Sequence, residues 1–61
     1  MTPTARLIGR WAFADGGAVR VLRVEGRRVL CGDGRERWWV ALADLERVIR
    51  RGIVRYVGRL R

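Results

Sequence analysis

Residues 27–42 read R-R-V-L-C-G-D-G-R-E-R-W-W-V-A-L, and the Asp33-Gly34 pair at their centre constrains the chain most. Asp-Gly between two apolar-rich runs supplies the positive φ angles of a two-residue type I′ hairpin turn. Two strands folded back on each other are therefore the expectation. The second run holds adjacent indoles, Trp38 and Trp39. Neighbours on a strand point to opposite faces, so one indole goes to the core and the other faces outward among arginines.

The flanking segments extend this hairpin. Residues 1–4 form a short flexible tail broken by Pro3. Residues 5–13 place Leu7, Trp11 and Phe13 on one face, a strand by period, with Gly9 marking a bend. Asp15-Gly16-Gly17 is a turn. Residues 18–25, A-V-R-V-L-R-V-E, are valine-rich and strand-like. A tight turn at Glu25-Gly26 joins them to the strand 27–32. The middle of the chain is thus a three-stranded antiparallel meander.

If both tight loops are two residues long, the register follows. Arg28 then faces Trp39, Val29 faces Trp38, Cys31 faces Glu36 and Arg20, Leu22 faces Val29, and Arg23 faces Arg28. One face carries Leu22, Val29, Trp38 and Val40 as core. The other carries Arg23, Arg28 and Trp39, with Val21, Leu30 and Arg37 in the row beside them. Trp11, Phe13, Trp38 and Tyr56 are the expected aromatic core, because aromatic rings supply most of the buried area in so small a domain.

After Leu42 the period changes. Residues 43–52 have acids in the first turn, arginines in the last and Gly52 where a C-terminal cap belongs, which reads as a short helix. Its alternative is a single 3₁₀ turn around residues 44–46 with a strand resuming at Arg47. Residues 53–60 form a last strand, with Val54, Tyr56 and Leu60 on one face and Arg55 and Arg59 on the other.

Composition narrows the function classes. Sixty-one residues make one domain, 1–61. A chain this short buries only about 60% of its unfolded surface. One cysteine, Cys31, forms no intrachain disulfide, and without histidine a metal site would need an unusual ligand set. Self-association or a partner is the remaining support. With 14 basic and 6 acidic residues the net charge is +8, and every basic residue is arginine. GC-rich coding is a sufficient reason for the missing lysine; the charge itself points to polyanionic partners. No His, Ser or Lys is present, which removes the usual general bases and most activated nucleophiles. No enzyme activity, cofactor or metal is expected. No apolar run approaches the roughly 20 residues of a membrane span, and no export signal is visible, so a cytoplasmic location is expected.

Short strands, tight glycine turns, and an aromatic strand running into W-V-A-L-A-D-L-E-R-V at residues 39–48 resemble the end of an SH3-like small β-barrel. In such barrels the fourth strand ends in a 3₁₀ turn that feeds the last strand. Plasmid-type dihydrofolate reductases, SH3-like tetramers, have a comparable segment ending in Leu-Glu-Arg, here Leu45-Glu46-Arg47. Their Val-Gln-Ile-Tyr active-site run is missing, so that activity is not implied. Many SH3-like barrels of bacteria and phage bind nucleic acid or protein, and fold does not choose between them.

The expected architecture is mainly β: an SH3-like small barrel or strongly bent antiparallel sheet of about five strands, with one short helix or 3₁₀ turn near residues 43–51. The expected function is non-catalytic nucleic-acid binding through backbone phosphates. Trp39 would stack on an unpaired base, and Arg23, Arg28 and Arg37 would surround it. Arg50, Arg51, Arg55 and Arg59 form a second basic group near the C-terminus. The plainer alternative has Trp39 covering a second small core and the arginines solvated. A rival function uses the same Trp/Arg face for self-association or a protein partner, since Arg and Trp are also enriched at interface hot spots. An all-arginine chain of this size would suit a mobile element or prophage. Anionic-membrane binding through the basic helix is weaker, because its apolar face is small.

Overall fold

The computed structural model describes residues 4–60. After a 3₁₀ turn at Thr4–Leu7 come strands β1 (Gly9–Phe13), β2 (Ala18–Glu25), β3 (Arg28–Gly32) and β4 (Arg37–Ala41), then helix α1 (Leu42–Arg50) and strand β5 (Val54–Gly58). The strands form one antiparallel sheet in the order β4-β3-β2-β1-β5, which remains open, with β4 and β5 at its edges. The mainly β expectation therefore holds, and residues 42–50 are a true helix.

The N-terminal strand is shorter than its period implies. Residues 4–7 turn as a 3₁₀ helix, and the Leu7 carbonyl at its end accepts a hydrogen bond from the Trp11 indole N–H at 2.8 Å. The expected tail at 1–4 lies outside the described residues, apart from Thr4, which opens that turn.

In both hairpins the cross-strand partner of a residue near the turn lies two residues later than simple counting gives. Glu25 pairs with Arg28, so the β2–β3 turn is Gly26-Arg27. Gly26, at φ 60°, takes the first central position, where a type II′ turn needs glycine. The β3–β4 loop has four residues, 33–36. Asp33 keeps a negative φ, so no type I′ turn forms. Its Oδ1 instead accepts the backbone N–H groups of Arg35 and Glu36, each at 2.8 Å. Aspartate favours such side-chain turns. Leu30 thus pairs with Trp39, Cys31 with Trp38, and Val29 with Val40. A shift of two keeps every residue of β3 and β4 on its expected face.

β2 does not keep its expected faces throughout. The register slips between Val21 and Arg23, leaving Leu22 as a bulge. Val21 then lies inward, opposite Cys31, and Arg20 lies outward, opposite Gly32. Val21 and Val29 are 0% exposed. The expected core position of Leu22 and outer position of Val21 are thereby exchanged. A second bulge at Val57 in β5 ends the alternation that grouped Tyr56 with Leu60.

The core is Trp11, Val19, Val21, Val29, Cys31, Leu45 and Val54. One face of the sheet supplies most of it, and α1 closes it with Leu45, flanked by Leu42, Val48 and Ile49. The helix starts beside the β2–β3 turn, where the Leu42 N–H bonds to the Arg27 carbonyl at 2.8 Å. It touches β3, β4 and β5, so it crosses the inner face from one sheet edge to the other. It ends on Gly52, whose N–H bonds to Ile49 O, while Ile53 N–H reaches back to Val48 O. This is the paired-bond cap in which a glycine with positive φ, here 75°, turns the chain out of the helix.

Of the four expected core aromatics only Trp11 is buried. Trp38 points inward, but from edge strand β4, and stays 39% exposed. Phe13 and Tyr56 are also exposed. Tyr56 packs edge-on against Trp11, with ring centroids 5.4 Å apart. Gly9 makes room for it: a Cβ there would collide with the Tyr56 ring.

Candidate nucleic-acid interface

Strand alternation, corrected by the two bulges, decides what the uncovered face of the sheet presents. Residues directly opposite in antiparallel strands share a face. One cross-strand line runs Gly58, Arg10, Arg20, Gly32, Arg37. The next runs Arg23, Leu30, Trp39, and the one beyond it Glu25, Arg28, Ala41. On the other side of the first line, Ala12 faces Ala18 and Arg55. Arg10, Arg20, Arg23, Arg28, Arg37 and Arg55 therefore all point away from the core. Of the strand residues on this face, Glu25 alone carries a carboxylate.

The expected site residues divide by location. Trp39, Arg23, Arg28, Arg37 and Arg55 lie on this outer face. Arg50 and Arg51 belong to the last turn and cap of α1, on the opposite side of the sheet. Arg59 follows the end of β5 and is exposed.

Trp39 is 41% exposed. The Arg28 guanidinium lies over its ring, 4.4 Å from the centroid. The contact is diagonal across β3 and β4 rather than directly opposite. Arg23 and Arg28, expected to oppose each other, do not. Glu25 faces Arg28 and forms ion pairs with both, at 3.9 Å to Arg28. All three groups are solvent-exposed, so these pairs contribute little stability.

The first line differs. Among the described residues, no carboxylate lies within ion-pair distance of Arg10, Arg20, Arg35 or Arg37. Arg10 and Arg20 face each other directly, an arrangement that destabilises a sheet. Between Arg20 and Arg37, over the buried Gly32, lies an open concavity of about 230 Å³, floored by Leu22 and rimmed also by Arg35 and Glu36. A second concavity, between Arg10, Arg20 and Leu60, shares the Leu22 floor.

Arg10, Arg20 and Arg35 are absent from the expected site. Arg20 and Arg23 are three residues apart, so unbroken alternation puts them on opposite faces; the Leu22 bulge brings them together. A two-residue turn at Asp33-Gly34 would put Arg35 at the start of a strand; it lies instead in the loop built on Asp33.

Two groups have displaced titrations. The backbone N–H groups of Glu36 and Arg35 hold the Asp33 carboxyl below its usual range. Burial pushes the Cys31 thiol up, as expected of a small hydrophobe between Val21 and Trp38. Among the described residues no three Cys, Asp or Glu side chains gather as metal ligands. No helix is long and apolar enough to cross a membrane.

The chain matches no protein-family model, no curated protein and no solved structure.

Proposed function

We propose that this protein binds nucleic acid without catalysing a reaction, using the outer face of its sheet. One observation carries the proposal: six arginines from the five strands point to the sheet face opposite the helix, where Glu25 is the one strand residue with a carboxylate. Such a face attracts phosphates and releases their counterions. The exposed indole of Trp39 adds a surface on which an unpaired base can stack. The absence of His, Ser and Lys fits a role without catalysis. We also read the fold as SH3-like. A short helix between the fourth and last strands, where those barrels have a 3₁₀ turn, supports that reading.

The test is titration of a labelled single-stranded oligonucleotide at several salt concentrations. Affinity is expected to fall by at least tenfold between about 50 and 200 mM monovalent salt. Trp39→Ala is expected to weaken binding by about 5- to 100-fold, the worth of one stacked base. Binding that ignores salt, or none at the lowest salt, would refute the proposal.

A further inference from the structure

We infer that the notch over Gly32, between Arg20 and Arg37, seats one backbone phosphate of a single strand whose adjacent base stacks on Trp39. The inference rests on the nucleic-acid reading above and assigns it a place on the sheet.

Arg20 and Arg37 are direct neighbours of Gly32 on either side. Strands lie about 4.8 Å apart, so their backbones are separated by about 10 Å. Gly32 itself is buried beneath the Leu22 methyl, so an anion seated above that floor meets guanidinium groups from both flanks. Arg35 adds a third at the rim. The floor is closely fitted: a Cβ on Gly32 would lie 3.1 Å from Leu22 Cδ1 and 3.3 Å from the Glu36 carbonyl oxygen. The bulge that turns Arg20 outward also places Leu22 there.

The line holding Trp39 is two residues further along β3 and β4, about 7 Å away. That spacing suits a phosphate and the base attached to it. Arg28 comes to the indole from the Ala41 side. The indole beneath it remains partly exposed. Glu36 opposes the phosphate from the rim.

The experiment compares two charge-matched double variants of the whole protein, Arg20→Gln/Arg37→Gln and Arg50→Gln/Arg51→Gln. Each loses two positive charges, from opposite sides of the molecule. A labelled thymidine 12-mer is titrated at several salt concentrations, and thermal melts confirm folding. The first double should lose at least tenfold in affinity at low salt. Its salt slope should drop by about 0.7, the single-strand value for one phosphate contact. The second should lose under threefold, and Glu36→Gln should bind about two- to threefold more tightly by removing one opposing charge. Equal losses in the two doubles would overturn the notch while leaving nucleic-acid binding intact. No binding by the unaltered protein would overturn both.

Discussion

Val29 shows how little core this molecule has to spare. It is fully enclosed between Val24 and Val40 on the inner face. Val29→Ala removes buried hydrocarbon and leaves a void, at a cost of about 2 kcal/mol. Single cores of this size rarely supply more than about 5 kcal/mol in total. The denaturant midpoint should therefore fall by a large fraction, whereas Arg55→Gln on the exposed face should leave it within error. The same contrast explains why core residues were partly legible from sequence. Valine alternation in β2 marks a half-buried strand, and Val29 and Cys31 keep their side chains inward despite the altered loop. Trp38 and Tyr56 were misplaced because hydrophobicity does not say which strands lie at an edge, where half of each ring stays wet.

At the scale of elements, the four-residue loop 33–36 depends on one carboxylate. Asp33 accepts two backbone N–H groups in its charged form, and this lowers its pKa. A group with a depressed folded pKa contributes stability above its unfolded value, about 3.9, and loses it as pH falls through the folded value. Melts across pH 7 to 2 should show the unaltered protein losing stability below about pH 4. Asp33→Ala, already lacking the turn, should lose less over that interval; parallel curves would refute this role. Strand count, the helix and its glycine cap followed from periodicity and end signals. Loop length did not, because Asp-Gly serves two turn designs. Only the side-chain hydrogen bonds decide between them.

For the molecule as a whole, charge asymmetry is the dominant property. The net charge of +8 is carried by a chain whose outer sheet face gathers six of its arginines. Self-repulsion on that face opposes folding and is screened by salt, with a Debye length of about 10 Å at 0.1 M. Melting temperature should thus rise as sodium chloride increases from about 20 to 300 mM. It should rise again at low salt when an oligonucleotide is added, since a ligand of the folded state stabilises it. A flat response to salt would mean that the arginines do not act on one another.

The Leu22 bulge has one more consequence. Without that residue, β2 would read Val-Arg-Val-Arg-Val, a strand with apolar and cationic sides in strict alternation. The leucine is an insertion within an otherwise regular amphipathic ribbon. Excising it would leave every valine and arginine on its present side. What would disappear is the local kink, together with the greasy platform beneath the glycine gap, so shape and charge pattern in this protein are separable by a single codon.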